Sequence, residues 1–226
     1  MRGVFVTGTD TDCGKTLVST ALIHALSEGG LKVAGFKPVA AGAEGFDGQL
    51  RNEDALALIE ASGGGFAYQD VNPVCFEPPI APHIAAGEVG QAIDRQSLLG
   101  AAQRLSRQAD FLVAEGAGGW RVPLQGELDM QGLAATLGLP VMLVVGLRLG
   151  CLNHALLTAD AIRASGQELV GWVGSVVDPE MARLDENIAT LRERLDAPCL
   201  GILPHSPGAT TGSMARFLDI GVLLPA

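Results

Sequence analysis

Six short apolar runs recur along the chain, at Gly3–Thr7, Val33–Phe36, Phe111–Ala114, Val141–Val145, Val170–Val176 and Cys199–Leu203. They read as continuous hydrophobic segments, without strict alternation of apolar and polar residues. A strand with one wet face alternates, because successive side chains point to opposite faces; an unbroken apolar run suits a parallel strand covered on both sides. Helical patterns fill the intervals. Leu17, Ala21, Leu22, Ala25 and Leu26 line one face of a helix that Gly29-Gly30 ends, and further helices are expected over Glu53–Ala61, Ser97–Gln108, Leu152–Ala164 and Ala182–Leu195. Strand and helix in alternation predict the α/β class, as a doubly wound, mainly parallel sheet with helices on both faces. Of the 226 residues, 48% are hydrophobic and 18% charged. That is ample for one large buried sheet and cramped for two domains, so residues 1–226 are read as a single domain.

One stretch breaks the rhythm. Gln69 to Gly90 holds Pro73, Pro78, Pro79 and Pro82; prolines at that density exclude a central strand and predict a long loop or short-helix excursion over the sheet. The longest uncharged apolar run, Leu137 to Leu147, is far short of the roughly 20 residues a membrane helix needs, and Pro140 interrupts it. It reads as a buried strand with its approach loop. Met1-Arg2-Gly3 leads straight into apolar Val4-Phe5-Val6 with no signal-peptide pattern, so a cytoplasmic location and no membrane partner are expected. A net charge of -10 would repel phosphate backbones and argues against a nucleic-acid partner. Cys13, Cys75, Cys151 and Cys199 are scattered, with no C-x-x-C pair, and are expected as reduced thiols.

The strongest chemical signal lies between the first strand and the first helix, in Gly8-Thr9-Asp10-Thr11-Asp12-Cys13-Gly14-Lys15-Thr16. A phosphate needs several inward backbone N–H groups, a lysine that reaches the outer phosphates, and a hydroxyl for Mg²⁺; Gly14-Lys15-Thr16 supplies the last two at a helix N-terminus. This marks the sheet as one of the P-loop NTPase type, although five residues separate Gly8 from Gly14 where four are usual. Cys13 is expected as a small residue that the loop tolerates.

Other candidates cluster at strand ends, where doubly wound sheets bind ligands. Glu115 closes the apolar run Phe111–Ala114 and precedes Gly116-Ala117-Gly118-Gly119, a segment over which backbone can approach a ligand closely; beside a phosphate loop its carboxylate can meet Mg²⁺. Lys37 closes the second strand and could neutralise charge during phosphoryl transfer, or be only an exposed lysine. Asp54 follows Asn52 at a helix start, as a metal ligand or simply as an acid favoured by the helix dipole. Gly150-Cys151-Leu152-Asn153-His154 opens a helix after the Val141–Val145 run. Its N–H groups and the Asn153 amide could hold a carboxylate, or Asn153 could be a plain cap.

Together these pieces resemble dethiobiotin synthetase over nearly the whole chain. The resemblance is carried by Thr7–Thr16, Lys37-Pro38-Val39, Leu50–Ala55, Pro82-His83-Ile84, Glu115–Trp120, Val145–His154 and Leu169–Val173. Glu-Gly-Ala-Gly-Gly-Trp and Leu-Gly-Cys-Leu-Asn-His are far more specific than a bare phosphate loop. The resemblance implies an ATP- and Mg²⁺-dependent closure of a ureido ring on 7,8-diaminopelargonate with CO₂, by way of a carbamate and a carbamic–phosphoric anhydride. It implies nucleotide binding by Asp12, Cys13, Gly14, Lys15, Thr16 and Leu17, with Asp54, Glu115, Gly116, Ala117 and Gly118 alongside. Ser175-Val176 and Pro204-His205-Ser206 would lie at the base. Thr16, Asp54 and Glu115 are implied as the Mg²⁺ set, and Lys15 and Lys37 as the catalytic cations. Substrate would meet Thr11, Lys37, Ala41 and Gly118, and, from the other subunit of a homodimer, Gly150, Cys151 and Asn153. Ala41 stands where the family usually has Ser, and Ser175 where it has an adenine-reading Asn.

Two rivals are weighed against this. Amide synthases of cobalamin synthesis carry a further glutaminase domain of on the order of 200 residues, for which the chain has no room. Partitioning-type ATPase switches carry a second lysine early in the loop, and Thr9, Asp10 and Thr11 offer none.

Overall fold

The computed structural model describes residues 1–208 and 210–224. In chain order the strands are β1 Gly3–Gly8, β2 Val33–Phe36, β3 Val39–Ala41, β4 Glu44–Phe46, β5 Gln49–Arg51, β6 Val74–Phe76, β7 Phe111–Gly119, β8 Pro123–Gln125, β9 Leu128–Asp129, β10 Val141–Leu147, β11 Leu169–Val176 and β12 Cys199–Leu203. The helices are α1 Lys15–Glu28, α2 Glu53–Ala61, α3 Tyr68–Val71, α4 Pro82–Val89, α5 Arg95–Ser106, α6 Met130–Leu137, α7 Cys151–Ala164, α8 Leu184–Arg194 and α9 Thr211–Met214. Six strands form the central sheet in the order β12-β11-β10-β1-β7-β2, and every pairing in it is parallel. The doubly wound α/β fold expected from the apolar runs is the fold observed. All six runs lie in this sheet.

Alternate residues of the strands feed two separate cores. Val4, Val6, Val113, Met142 and Val144 pack with α1 and α9 on one face. Phe5, Leu112, Ala114, Leu143, Val145 and Trp172 pack under α5, α6, α7 and α8 on the other. Both sides of each strand are therefore dry, which is why the runs do not alternate. Burial of each large side chain here, such as Phe5 or Leu112 at 0% exposure, contributes roughly 1.5–3 kcal/mol.

The differences from expectation have local causes. α5 begins two residues early because Asp94 caps it, accepting from Ser97 N at 2.8 Å. The Leu137–Leu147 run splits: Leu137 ends α6, which Asp129 caps and Gly138 closes in the left-handed region, and the strand starts at Val141. The proline-rich excursion contains the short strand β6, paired with β3 outside the central sheet, and α4 with Pro82 in its first turn. Among the described residues no helix is long and apolar enough to cross a membrane.

Candidate active site

A parallel sheet brings every strand's carboxyl end to one edge, and the candidate residues gather there. β1 stops at Gly8, and α1 starts at Lys15 after Gly14, whose φ of 92° lies in the left-handed region. A Cβ at position 14 would be strained and would also collide with Ser175 Oγ at the end of β11, so only glycine fits. Cys13 is fully buried. It packs on β10 at Gly146, where an added Cβ would come within 2.9 Å of the Cys13 Cα. This is the structural place that the sequence suggested for this thiol. The loop is pinned from outside as well: Arg148 Nη2 pairs with Asp10 Oδ2 at 2.6 Å. Lys15 is 7% exposed, and its ammonium donates to the Asp10 carbonyl at 2.9 Å.

Behind the loop, four side chains form one charged knot. Thr16 Oγ1 lies 2.7 Å from Asp54 Oδ1 and 3.0 Å from Glu115 Oε1. Lys37 Nζ lies 2.7 Å from Asp54 Oδ2 and 2.6 Å from Glu115 Oε1, and 3.4 Å from the Gly116 carbonyl. The two Lys37–carboxylate distances and the Thr16–Asp54 distance are the short ones of charge-assisted bonds. Lys37 is 3% exposed, so it is not the surface lysine its strand-end position allowed. Burial alone would pull its pKa down, but the carboxylates of Glu115 and Asp54 outweigh it and hold the ammonium above the ordinary lysine value. Burial likewise works against the Asp54 carboxylate, and Lys37 and Thr16 overcome it, leaving its pKa below the usual range.

Two features of the knot call for another cation. The Thr16 hydroxyl has one proton, so it can donate to Asp54 or Glu115 but not to both. Glu115 is 0% exposed, and among the described residues its Oε2 has no hydrogen-bond partner. A buried, unpaired carboxylate oxygen is costly, and a hard cation that takes oxygen ligands would satisfy it.

Glu115 does not close its strand, as its position after Phe111–Ala114 suggested. It pairs with Val6 in mid-strand, and β7 runs on to Gly119 opposite Gly8 after a shift of register. The small residues Gly116–Gly119 let that pairing continue past the carboxylate. Asp54 occupies the first turn of α2, capped by Asn52, whose side chain accepts from Ala55 N.

A cleft of about 820 Å³ opens above the knot. Its lining includes Thr11, Asp12, Gly14, Lys15, Thr16, Leu17, Lys37, Ala41, Asp54, Ala117, Gly118, Ser175, Val176, Pro204, His205 and Ser206, so sixteen expected site residues share one space. Cys13 lies beneath the loop, and Glu115 and Gly116 are buried behind it, reached through Thr16 and Lys37. Gly150, Cys151 and Asn153 do not line the cleft. Gly150, in the left-handed region, is the N-cap of α7, and no side chain caps that helix; Asn153 is exposed, so it is not the plain cap considered above. The wall also includes Ala40 on β3, together with Pro79, Ile80, Ala81 and Pro82, from the excursion whose surroundings the sequence left open.

A family model described as an AAA domain matches residues 2–212. The ATP-dependent dethiobiotin synthetase of Pseudomonas paraeruginosa is 52% identical over 221 residues, 97% of each chain. That of Cellvibrio japonicus is 51% identical over 225 residues, 100% of this chain and 99% of its own. The chain belongs to the dethiobiotin synthetase family. Among solved structures, the signal recognition particle receptor FtsY of Elizabethkingia anophelis aligns with a TM-score of 0.57 at 19% identity, over 98% of this chain and 63% of that one. The MinD cell division protein of Aquifex aeolicus aligns with a TM-score of 0.56 at 15% identity, over 97% and 89%. At such identities these share the P-loop fold with the synthetase family, and the fold alone.

Proposed function

We propose that this chain is an ATP-dependent dethiobiotin synthetase of biotin synthesis. It closes the ureido ring of dethiobiotin on 7,8-diaminopelargonate with CO₂ and releases ADP and phosphate. The observation that carries the reading is the knot: Lys37 held between Asp54 and Glu115, directly behind the Thr16 hydroxyl of a phosphate loop.

The chemistry needs little covalent help. One amine of the diamine takes up CO₂ as a carbamate, the carbamate oxygen takes the γ-phosphoryl group of ATP, and the second amine attacks the anhydride carbon and expels phosphate. Both reactants of the phosphoryl step are anions, so positioning and cations do the work. The loop from Asp12 to Leu17 would hold the phosphates, with the Lys15 ammonium swinging from the Asp10 carbonyl to the transferring group. Lys37 would stand beside the carbamate. Thr11, Ala41 and Gly118, which also line the cleft, would meet the diamine; with alanine at position 41 no side-chain hydroxyl is available there. Ser175-Val176 and Pro204–Ser206 would flank the base.

Thr16, Asp54 and Glu115 would hold Mg²⁺, and the unpaired Glu115 Oε2 and the single Thr16 proton support that assignment. Bound there, the ion would supply charge neutralisation between phosphate oxygens. A homodimer that completes the substrate site is supported by Leu149 at 92% and Leu157 at 62% exposure, apolar surface beside the open N-terminus of α7 at Gly150–Asn153. A cytoplasmic enzyme with small-molecule substrates, and no membrane or nucleic-acid partner, completes the reading. The test is ureido product from ATP, bicarbonate and 7,8-diaminopelargonate. ADP release that ignores the diamine would refute it.

A further inference from the structure

We propose that Tyr68 and Asn72 are positioning residues for this reaction, one phenol hydroxyl tying the N-terminus of α2, which carries Asp54, to the amide that holds the main chain of Lys37. The proposal rests on the reading of Lys37 as the cation beside the reacting groups.

The Lys37–Asp54 pair joins two elements that meet only in the folded chain, the end of β2 and the first turn of α2. A lysine stem is flexible, so the position of its ammonium depends on how firmly its backbone is held. Here the backbone is held on both sides. Lys37 N donates to the Val71 carbonyl at 2.8 Å, and the Lys37 carbonyl accepts from Asn72 Nδ2 at 2.7 Å. Asn72 is 3% exposed. Its second amide proton goes to the Val74 carbonyl at 3.1 Å, and its Oδ1 accepts from the Tyr68 hydroxyl at 2.8 Å. Buried amides that make this many bonds have one orientation.

The Tyr68 hydroxyl also accepts from Asn52 N at 2.8 Å. The Asn52 N–H can only donate and the Asn72 Oδ1 can only accept, so at 2.8 Å the phenol proton points to Asn72 rather than to Cys75 Sγ at 3.8 Å, and the chain of bonds has one direction. Burial pushes the phenol up to about 12, so the proton stays in place through the neutral range. Asn52 is the cap of α2, accepting from Ala55 N at 3.3 Å, and its Nδ2 lies 3.4 Å from the Ala41 carbonyl on β3. The Arg51 guanidinium, 4.0 Å from the ring centroid, covers the phenol. Asn52, Tyr68 and Asn72 thus link Ala41, Asp54 and Lys37, yet none of the three lines the cleft. Their effect on chemistry must pass through the residues they hold. Outer partners of this kind are worth roughly 10-fold to 100-fold in activity when removed.

The test is a double-mutant cycle on the full chain, with steady-state kinetics of ureido product formation. Tyr68→Phe keeps the ring and its contact with Arg51 but leaves Asn72 Oδ1 and Asn52 N unpaired. Its kcat should fall roughly 10-fold, while KM for ATP, which reads the phosphate loop, should stay within about two-fold. In a Lys37→Gln background the same change should cost nothing further, because the residue it positions is gone. Asn72→Asp, isosteric but without the donor to the Lys37 carbonyl, should give the same pattern. Unchanged kcat in Tyr68→Phe, or losses that multiply with those of Lys37→Gln, would assign the network to stability alone and overturn the proposal; so would failure of both variants to fold. Near-normal turnover in Lys37→Gln itself would instead sink the reading of Lys37 on which the proposal rests.

Discussion

Lys37→Gln is the most informative single change, because the structure predicts two effects that part company when Mg²⁺ is added. Glutamine keeps most of the stem and removes the charge. It leaves the Glu115 carboxylate, 0% exposed, beside that of Asp54, whose side chain is 38% exposed. Stranding a buried charge in this way costs on the order of 3–5 kcal/mol; since Asp54 can recover water, the low end, about 3 kcal/mol, is expected. Mg²⁺ at the same oxygens would replace the missing positive charge, so most of that stability loss should disappear in excess Mg²⁺. Turnover should not recover, because the cation beside the carbamate is still absent; kcat should stay about 10²-fold or more below the parent. Urea midpoints with Mg²⁺ and with chelator measure the first effect. The rate of ureido product, on protein whose circular dichroism confirms the fold, measures the second. A stability loss indifferent to Mg²⁺ would refute the carboxylate pair as a cation site, and near-normal kcat would reduce Lys37 to a structural counter-ion.

Glu115→Gln should fold but lose most of its activity, since the carboxylate with the unpaired oxygen is gone; full activity of the parent in excess chelator would contradict the same argument. Nucleotide choice should be loose. Ser175 presents no amide and its Oγ packs on Gly14, so kcat/KM for CTP and GTP should approach that for ATP more closely than in relatives with Asn there, and a strong ATP preference would mean that other contacts read the base. Leu149→Asp, at a position 92% exposed, should leave the fold intact but dissociate the dimer and depress activity in dilute solution. An unchanged sedimentation coefficient would place the dimer contact elsewhere or remove it.

The sheet was legible because its physics is one-dimensional. A strand buried on both faces must be apolar throughout, and each of the six runs could be read without knowledge of its neighbours. α6 was not legible for the same reason in reverse. Its last residue, Leu137, is as apolar as the strand that follows, and the two elements are separated by the left-handed Gly138 and by Pro140 just before the strand. The Pro79–Pro82 wall of the cleft was hidden because prolines say where a strand cannot be and not what a loop will face.

The site shows where such reading stops. Gly14-Lys15-Thr16 announces itself, because a phosphate demands those groups next to one another in sequence. The knot behind it does not. Thr16 and Glu115 are separated by 99 positions, and Lys37 and Glu115 by 78, so their meeting depends on β7 lying between β1 and β2. Lys37 and Asp54 each had a plausible ordinary explanation, and the family resemblance was needed to group them with Thr16 and Glu115. The Tyr68 hydroxyl is further still from view. Nothing in the stretch Tyr68-Gln69-Asp70-Val71-Asn72 suggests chemistry, since it acts through one proton given to an amide that holds another residue's carbonyl. Sequence patterns record what a side chain must be to touch a ligand; a residue that works through a neighbour's backbone leaves only a tyrosine and an asparagine one helical turn apart.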